Sequence, residues 1–580
     1  MQNTIHYGVS SLHPASHYFD ICLTIAEPDP AGQVLWLPDW IPGSYMIRDF
    51  SRHLTPLHAF TADDQPVAIT AIDKSSWRCA PVEGLLRVRY RVYAWDMSVR
   101  TALLDQFGGF FNGTSLFLAV SGQEQRPVSV SIERPVGAEA WRVATTLPRD
   151  GAEALGFGDY CAANYDELID HPVELGVFDY LRFDMDGVPH ALAVTGVHRG
   201  DLARLVSDLR KICATQIAFF QDPAPFSEYL FLLRVVGSGY GGLEHRSSTS
   251  LICNRDDLPS ANEPEAPSAG YTQLLGLCSH EYFHSWNVKR LKPDVMVAPN
   301  LRQPAHTELL WFFEGITSYY DDQFLLRAGV IDAPAYAALL SQQLSRYVQT
   351  PGRSVQTVSA SSFDAWTKYY QQNENTPHVV VSYYIKGAII ALCLDLMLRT
   401  QGHSLDAVMR ALWQRFGRSQ AGICADDIQT AITDLLGSYG EVFLQQALHS
   451  TQELPWQCLL EDIGVQVKLS SAQAVTLGVR TQAGDGGVLL RVVDPAGPAA
   501  QAGLSAGDVV VALDQRRISA ANWDKRLAQY AAGESVSVYA FRRDEWLACT
   551  CIIAVAAADT CTLGLSDDTD AWPRVLAVNH

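Results

Sequence analysis

The first 166 residues consist of short segments in which apolar and polar residues alternate. Alternation with a period of two predicts strands with one buried face and one exposed face. Turn-forming Pro, Gly and Asp residues separate these segments, as in PDPAG (28–32) and DWIPGSY (39–45). The clearest strand-like segments are HYFDICLTI (17–25), LLRVRYRVYAW (85–95) and PVSVSIERP (127–135). We therefore predict an all-β domain over residues 1–166, built as a sandwich or saddle of sheets.

The pattern changes from about residue 167 onward. Two strand-like segments flank a DG turn and predict a hairpin, and a segment with helical periodicity follows them. Two more strand-like segments come next, joined by the Gly-rich connection GSGYGGLEH (237–245). Long helical segments then extend from Tyr271 to about Gly464. We predict a domain over residues 167–464 in which a small sheet precedes a bundle of helices.

The last part of the chain returns to strand-like segments. GGVLLRVVD (486–494), GPAAQAGLSAGDVVVALD (497–514) and ESVSVYAFRR (534–543) indicate a separate β-rich module with one or two helices. We place this module at residues 465–560 and a carboxy-terminal tail at residues 561–580. The predicted fold class is therefore multidomain α+β, with an all-β amino-terminal domain, an α+β middle domain and a small carboxy-terminal module.

Composition narrows the classes of partner. The chain has 580 residues, of which 48% are hydrophobic and 18% charged, as in ordinary globular proteins. At roughly 150 residues per domain, this length predicts three to four domains. The formal net charge of -20 argues against a nucleic-acid partner, because phosphate binding requires clustered Lys and Arg. Excess negative charge commonly serves solubility, and it also favours cationic ligands.

No segment predicts a membrane partner or secretion. The first residues, MQNTIHYGVS, have neither a basic nor an apolar region typical of a signal peptide. The most apolar long stretch, 379–398, contains Ser382, Lys386 and Asp395, which indicates a buried helix. The 12 cysteines include no C-x-x-C pair, and free thiols are the simplest interpretation in a chain of this length. We expect a cytoplasmic protein.

The strongest chemical signal is the H-E-x-x-H motif formed by His280, Glu281 and His284. It lies in the helical segment YTQLLGLCSHEYFHSWNVKRLKP, which we expect to end before Pro293. Two histidines four residues apart project from the same side of a helix, so both imidazoles can bind one ion. Imidazole nitrogen suits Zn²⁺, and a neighbouring carboxylate such as Glu281 can accept a proton from water at the metal. The alternative is a helix with two structural histidines.

A third metal ligand is expected from the next helical segment, ELLWFFEGITSYYDDQFLLRAG. Glu314 lies there among Trp, Phe and Ile residues, and a buried carboxylate is costly unless a cation accompanies it. Glu308 is the competing ligand, although its flanking residues are more typical of a helix start. Asp321 and Asp322 are candidates to hold the histidine ligands, and their alternative is a pair of acids on the helix surface.

Two further features suit peptide chemistry. Tyr383 and Tyr384 begin a buried helical segment, where a hydroxyl could stabilise an oxyanion, although a Tyr pair alone more often serves packing. In the Gly-rich connection, Gly241 and Gly242 allow close approach of a ligand backbone, and Glu244 can pair with the ammonium group of a peptide. The alternative is a Gly-rich hairpin with a solvated Glu.

Taken together, these segments resemble the glycyl aminopeptidase family of gluzincin metallopeptidases, which carry a PDZ domain. The resemblance covers essentially the whole chain in the same order. It rests on LPDWIPGSYMIRDFSRH, GYGGLEH, HEYFHSWNVKRLKP, LLWFFEGITSYYDD, SSFDAWTKYY and VSYYIKGA. It implies a thermolysin-like catalytic domain, one zinc ion and release of the amino-terminal residue of peptides, with a preference for Gly and, to a lesser degree, Ala.

The resemblance also implies a role for each matching residue. His280, His284 and Glu314 correspond to the zinc ligands, and Glu281 corresponds to the general base. Tyr384, in the Y-x-K-G pattern, is implied to stabilise the transition state, with Tyr383 as the second candidate.

The matching Gly-rich segment implies the substrate-binding part of the site. Glu244 is implied to bind the free amino group, beside Gly241 and Gly242. His245 stands where the wider aminopeptidases commonly have Asn, so the substrate backbone is expected to be held differently here.

The carboxy-terminal module resembles a PDZ domain, with Leu477-Gly478-Val479 in the position of the loop that binds a carboxylate. Such domains bind an extended peptide as an added strand, so a peptide carboxy terminus is the expected partner. The alternative is a structural appendage. At the level of the whole chain, two alternatives to the aminopeptidase remain: a PDZ-based scaffold with a relict metal site, and a zinc endopeptidase.

Overall fold

A computed structural model describes residues 4–564 of the chain. These residues divide into two compact units. The first unit contains the chain up to Thr307 together with Tyr320–Ile331 and Asp406–Ile428. The second unit contains Glu308–Tyr319, Asp332–Leu405 and the chain from Gln429 onward.

The amino-terminal region is built almost entirely of strands, as predicted. The strands alternate buried and more exposed residues, for example in Ile5–Ser10, because one face of each packs into the core. The strands are Ile5–Ser10 (β1), Tyr18–Ile25 (β2), Val34–Trp36 (β3), His58–Thr61 (β4), Pro66–Val67 (β5), Ile69–Asp73 (β6), Ser76–Cys79 (β7), Leu86–Tyr93 (β8), Ala102–Leu104 (β9), Gly108–Phe111 (β10), Ala119–Val120 (β11), Val128–Ile132 (β12), Arg142–Ala144 (β13), Gly158–Ala162 (β14) and Val173–Gly176 (β15). Two short helices accompany them, Gly113–Leu116 (α1) and Tyr165–Ile169 (α2).

Three sheets organise these strands. The largest has the order β14-β12-β1-β2-β8-β4-β5, and two four-stranded sheets have the orders β13-β15-β10-β9 and β11-β3-β7-β6. Most neighbouring strands are antiparallel, whereas β1 and β12 are parallel. The prediction of an all-β amino-terminal domain made of several sheets is confirmed.

The next part of the first unit is a five-stranded sheet with two helices. Its elements are Phe178–Met185 (β16), Val188–Thr195 (β17), Leu202–Phe220 (α3), Tyr229–Val236 (β18), Gly241–Glu244 (β19), Ser248–Asn254 (β20) and Ala269–Phe283 (α4). The sheet order is β16-β17-β18-β20-β19. The predicted hairpin is present as β16 and β17. The segment predicted as a Gly-rich connection is instead partly a strand, β19, which pairs antiparallel with β20 and forms one edge of the sheet.

Helices follow from Ile316 to Asp462, as the sequence predicts. They are Ile316–Arg327 (α5), Ala333–Val348 (α6), Val358–Phe363 (α7), Thr376–Val379 (α8), Tyr383–Thr400 (α9), Leu405–Leu412 (α10), Ala425–His449 (α11) and Trp456–Asp462 (α12). Helix α11 is kinked at Gly437, which has a φ of 59°. Three π-helical turns adjoin these helices along the chain, at Trp311–Gly315, Ala365–Tyr369 and Trp413–Gly417.

The apolar stretch around α9 is a core helix. The segment Thr376–Thr400 is long and apolar enough to cross a membrane, but 78% of its most apolar stretch is buried inside the fold. Ser382 caps the helix by accepting a hydrogen bond from the Ile385 backbone N–H. Asp395 is buried there and accepts hydrogen bonds from Tyr319 and Arg399. This agrees with the prediction of a buried helix.

The carboxy-terminal module is a small β structure with two short helices. Its elements are Gln466–Ser470 (β21), Val475–Thr476 (β22), Val479–Gly484 (β23), Gly487–Val493 (β24), Pro498–Gln501 (α13), Val509–Leu513 (β25), Arg516–Arg517 (β26), Trp523–Leu527 (α14), Ser535–Arg542 (β27), Glu545–Ile552 (β28), Ala554–Val555 (β29) and Thr560–Gly564 (β30). Its main sheet has the order β23-β24-β25-β27-β28, with β26 beside β25. Leu490, Val510, Leu513 and Val538 belong to its buried core.

The predicted tail from residue 561 was wrong at its start. Residues up to Gly564 belong to strand β30, which pairs with β21 at the entrance of the module. The strand also lies against helix α6, where the Ser345 hydroxyl accepts a hydrogen bond from the Cys561 N–H at 2.9 Å. The Ser341 hydroxyl likewise accepts from the Leu563 N–H at 3.0 Å. The rest of the predicted tail, from residue 565, lies outside the described residues.

Candidate active site

Helix α4 carries both histidines of the H-E-x-x-H motif near its carboxyl end. The helix begins at the cap residue Ser268 and its last residue is Phe283, so His284 is the C-cap. It therefore ends earlier than the sequence predicted. His284 keeps a right-handed helical backbone, so the two imidazoles still lie side by side with ring centroids 4.6 Å apart. The spacing of four residues thus brings both rings to one place, as expected.

Each imidazole is oriented through its Nδ1 atom. His280 Nδ1 lies 3.0 Å from Asp321 Oδ2. His284 Nδ1 lies 2.7 Å from the backbone carbonyl of Asn287. Because a carbonyl oxygen can only accept, His284 carries its proton on Nδ1 and presents the lone pair of Nε2. This is the usual way in which proteins orient histidine ligands toward a metal.

Asp321 is itself held by several hydrogen bonds in the first unit. Its carboxylate accepts from the Asp322 N–H at 2.6 Å, and its carbonyl accepts from the Ser279 hydroxyl at 2.9 Å. Burial raises the pKa of Asp321, and the hydrogen bond with His280 opposes that rise. The structure therefore places the Asp321 carboxylate against the His280 ring, as expected of an acid that orients a histidine.

Glu281 is buried, with 5% of its surface exposed, and its carboxylate lies directly against Gly242 of strand β19. A Cβ atom added at Gly242 would be 2.1 Å from Glu281 Oε1. No side chain fits there without displacing the carboxylate, because carbon and oxygen atoms in contact need more than 3 Å. Gly242 therefore permits the close approach of the edge strand to the motif helix.

Glu244, at the end of β19, joins the same group of side chains. One ligand-type atom each of Glu244, Glu281 and His284 lies within 4.8 Å of the others, and all three residues are buried. Gly43 of the amino-terminal region lies against Glu244, since a Cβ added to Gly43 would be 2.5 Å from Glu244 Oε1. Gly43 has a φ of 93°, a conformation that favours glycine.

A cavity of about 50 Å³ adjoins Glu244. Its walls come from the turn around Gly43, including Trp40 and Ile41, and from the segment after helix α4, including Val288 and Lys292. His245 also lines it. The sequence motif DWIPGSY, which had no assigned role, thus forms one wall beside Glu244.

Two residues of the site carry no signal in the sequence. Arg100 Nη2 donates to the backbone carbonyl of Gly242 at 2.9 Å, which ties the amino-terminal region to strand β19. Asp170 follows helix α2 and lies 3.4 Å from His245 Nδ1. Neither belongs to a recognisable motif, and the contacts join residues 142 and 75 positions apart in the chain, so only the fold brings them together.

In the second unit, Glu314 is buried, with 2% of its surface exposed, on the π-helical turn Trp311–Gly315. The turn continues directly into α5, so one helical segment carries both Glu314 and Asp321, about two turns apart. A π-helical turn inside a helix is frequent at functional sites because it re-aims a side chain. The sequence predicted the helix and the burial of Glu314, but gave no signal for the π-helical turn.

The tyrosine pair lies at the start of α9, as predicted. The rings of Tyr383 and Tyr384 stack with centroids 4.7 Å apart, and both hydroxyls reach the Tyr370 hydroxyl, at 3.3 and 3.1 Å. Tyr383 is fully buried, whereas Tyr384 is partly exposed. Burial raises the pKa of nearby Tyr369, a hydrogen bond with Ser382 opposes the rise, and the charge of Glu314 adds to it.

Comparison with known proteins agrees with this arrangement. The description "Peptidase M61 N-terminal domain" matches residues 6–177, "M61 glycyl aminopeptidase" matches residues 273–390, and "PDZ domain" matches residues 461–549. A crystal structure described as an aminopeptidase N family protein from Idiomarina loihiensis superposes with a TM-score of 0.96. It shares 41% identity and covers 99% of this chain and 100% of its own. An M1 zinc metallopeptidase from Deinococcus radiodurans is more distant, with a TM-score of 0.48 and 13% identity over 79% of this chain and 96% of its own.

The H-E-x-x-H helix, its oriented imidazoles, the matches to the M61 descriptions and the structure with 41% identity define a metallo-aminopeptidase. The chain belongs to the M61 glycyl aminopeptidase family, with the M61 amino-terminal domain before the catalytic region and a PDZ domain after it. The resemblance drawn from the sequence is confirmed, as is the multidomain α+β fold class.

The contact between Asp321 and His280 leads to a testable expectation. Replacing Asp321 by Asn removes the charged acceptor that orients the imidazole, so the affinity for Zn²⁺ should fall by about 10- to 100-fold. The measurement is a titration of the apoprotein with Zn²⁺ against a chelator of known affinity. Asp434→Asn, on the exposed surface of helix α11, is the matched control and should leave the affinity unchanged. Equal affinities in both variants would show that Asp321 does not support the metal site.

Proposed function

We propose that the protein is a zinc-dependent aminopeptidase that removes Gly, and less readily Ala, from the amino end of peptides. In this proposal His280, His284 and Glu314 hold the zinc ion, Glu281 is the general base and Glu244 binds the substrate ammonium. Tyr384 stabilises the oxyanion. The observation that carries the proposal is the cluster of Glu244, Glu281 and His284, whose ligand-type atoms lie within 4.8 Å of one another.

The donor set fits zinc. Two imidazoles and one carboxylate are a common set for catalytic zinc, which keeps a further position open. In support, Glu314 is only 2% exposed on its π-helical turn, and a buried carboxylate is costly unless a cation accompanies it. Because both histidines make contacts through Nδ1, Nε2 is the atom of each ring that would donate its lone pair to the metal. Glu308, the competing third ligand, is exposed, so its carboxylate carries no burial cost for a cation to offset.

Bound zinc supplies a Lewis acid that activates water and polarises the peptide carbonyl. The chain's own part in the reaction is proton transfer and orientation. Glu281, packed against Gly242, accepts a proton from the attacking water. The same carboxyl group then delivers this proton to the nitrogen of the leaving peptide.

The position of Glu244 explains why cleavage would occur after the first residue. In an α-amino acid, the amino nitrogen and the carbonyl carbon are about 2.5 Å apart, given the standard bond lengths and angle. A carboxylate that holds the ammonium therefore fixes the carbonyl within reach of a water molecule beside Glu281. Peptides without a free amino end lose this charge-assisted contact, which contributes about 1.5–3 kcal/mol. This favours an aminopeptidase over an endopeptidase.

Gly241 and Gly242 let the substrate backbone lie close to strand β19, which is an edge of its sheet and can accept a further strand. His245 stands where the wider aminopeptidases commonly have Asn. We expect it to hold the substrate backbone differently from that Asn, just after the end of strand β19. Among the tyrosines, the partial exposure of Tyr384 favours it over the buried Tyr383 as the donor to the oxyanion.

The preference for a small first residue is supported by the cavity beside Glu244. Its volume of about 50 Å³ admits only a few atoms. The family name points to the same preference for Gly. The wall of the cavity at Gly43 lies directly against Glu244, since a Cβ added to Gly43 would be 2.5 Å from Glu244 Oε1.

The PDZ domain and the location of the protein complete the proposal. The loop Leu477-Gly478-Val479 leads directly into β23, which is an edge strand of its sheet and could bind a peptide carboxy terminus as an added strand. We expect a cytoplasmic protein, in keeping with its 12 free cysteines.

Glu281→Gln tests the general base. The amide cannot accept the proton, so kcat should fall by about a thousandfold or more, whereas zinc content and thermal stability should stay unchanged. The assay is release of p-nitroaniline from glycyl-p-nitroanilide, with Glu441→Gln on the exposed face of α11 as the control. Full activity of the Glu281 variant would exclude Glu281 as the general base, whereas no hydrolysis by the unmodified zinc-loaded protein would favour the PDZ-based scaffold.

A comparison of free and blocked amino ends tests Glu244. The enzyme should cleave glycyl-p-nitroanilide and not its N-acetyl form, and Glu244→Gln should raise KM for the free form by about 10- to 100-fold. Exposed Glu265→Gln is the matched control. Equal rates on free and acetylated substrates would identify an endopeptidase and exclude Glu244 as the amine-binding residue.

The two tyrosines can be separated by removing one hydroxyl at a time. Tyr384→Phe should lower kcat by about a hundredfold with little change in KM, because the lost hydrogen bond forms in the transition state. Tyr383→Phe should stay within a few-fold of the unmodified enzyme. The reverse order would assign the oxyanion contact to Tyr383.

A further inference from the structure

Asp170 lies just after helix α2, far in sequence from every residue of the proposed mechanism. Its side chain is only 10% exposed. One carboxylate oxygen accepts from the Arg246 backbone N–H at 2.9 Å, and the other lies 2.8 Å from Lys289 Nζ and 3.4 Å from His245 Nδ1. A single carboxylate therefore joins two segments that flank the active site.

The first of these segments is the end of strand β19. Glu244 is the last residue of the strand, and the His245 N–H donates to the Ser248 carbonyl at 2.9 Å to close the turn into β20. Within this turn, Asp170 holds the backbone of Arg246 and contacts the ring of His245. The direction in which the Glu244 carboxylate leaves the strand is thus fixed from the far side of the turn.

The second segment follows the H-E-x-x-H helix. Asn287 supplies the carbonyl that holds His284 Nδ1, and the Lys289 N–H donates to the His284 carbonyl at 3.0 Å. Between them, Val288 has a φ of 139°, which is rare for a β-branched residue and stores strain. The ion pair between Lys289 and Asp170 helps to hold this strained turn in place.

The charges around Asp170 favour its ionised form. Burial by itself raises the pKa of Asp170, but Lys289, Arg246 and His245 together hold it well below its ordinary value. An asparagine of the same shape would keep one acceptor oxygen and lose the charge that Lys289 and Arg246 face. Buried cations that lose their counter-charge tend to move toward water or toward another carboxylate.

We propose that Asp170 is a positioning residue, which holds Glu244 in register with the metal-binding helix so that a substrate's amino group and its carbonyl are bound together. The inference rests on the proposed role of Glu244 in binding the ammonium. Asp170 does not touch the substrate; it acts through the turn at Arg246 and the segment at Lys289.

Two small inhibitors distinguish this role from a general effect on stability. Glycine hydroxamate and acetohydroxamate both bind a metal through the hydroxamate, and only the glycine derivative carries an amino group. The informative ratio is the inhibition constant of acetohydroxamate divided by that of glycine hydroxamate. It reports the contact of the amine with Glu244, separately from metal content and from the amount of folded protein. In the unmodified zinc enzyme, the glycine derivative should bind at least about tenfold more tightly.

Asp170→Asn should reduce this ratio about tenfold, with acetohydroxamate binding and zinc content at saturating Zn²⁺ unchanged. Asp166→Asn is the matched control, because Asp166 pairs with the same Arg246 through its side chain at 2.6 Å but is 55% exposed. The control should keep the full ratio. Asp170→Glu retains the charge and displaces it by one methylene group, so it should lower the ratio even if the Asn variant fails to fold.

A full ratio in the folded Asp170 variants, alongside a preference for the glycine derivative in the unmodified enzyme, would overturn this role for Asp170 and leave the proposed function intact. No preference in the unmodified enzyme would instead overturn the proposed role of Glu244, and this inference with it. The proposed role of Asp170 would also be overturned if Asp166→Asn lowered the ratio of inhibition constants as much as Asp170→Asn does. The effect would then come from the loss of an ion pair with Arg246, which both acids contact.

Discussion

The contact between the Glu281 carboxylate and the bare backbone of Gly242 is the constraint on which the active site depends. Helix α4 and edge strand β19 can approach this closely only because residue 242 has no side chain. The same approach brings Glu244, at the end of the strand, and His284, at the end of the helix, into one cluster. Under the proposed function, the helix end supplies metal-binding groups and the strand end supplies the amine-binding group, so a small displacement of either element would misplace the substrate relative to the metal.

Two acidic side chains of this cluster are buried close together. Glu244 and Glu281 are about 95% buried and lie within 4.8 Å of each other, an arrangement that is unfavourable for two carboxylates in the absence of positive charge. Under the proposed function, a metal ion and a substrate ammonium supply that charge. Asp170 lies nearby in the opposite situation, surrounded by the cations Lys289 and Arg246. The two neighbouring regions therefore differ in the sign of their charge: Glu244 and Glu281 form an acidic pair, whereas basic side chains surround Asp170. The end of strand β19 lies between these two regions.

The parts of the fold that local patterns encode could be predicted from the sequence. Alternating residues gave the strands of the amino-terminal region, and the four-residue spacing of His280 and His284 gave the shared face of the two rings. Glycine content predicted a loop where β19 in fact forms. The strand forms there because pairing with β20 outweighs the weak strand preference of Gly. The early end of α4, the π-helical turn at Glu314 and the role of Asp170 depend on contacts between distant segments, and no local pattern encodes them.

The pairing of β21 with β30 has a mechanical consequence for the PDZ domain. The chain enters and leaves this domain through two strands that are hydrogen-bonded to each other, and the second strand is also bonded to Ser341 and Ser345 of α6. A third tie joins the Arg480 side chain to the Gln349 carbonyl at 2.5 Å, just beyond the same helix. A domain attached at both of its ends has no free pivot. These hydrogen bonds constrain the position of the PDZ domain relative to α6. A peptide bound to its edge strand would therefore have a defined position relative to that helix.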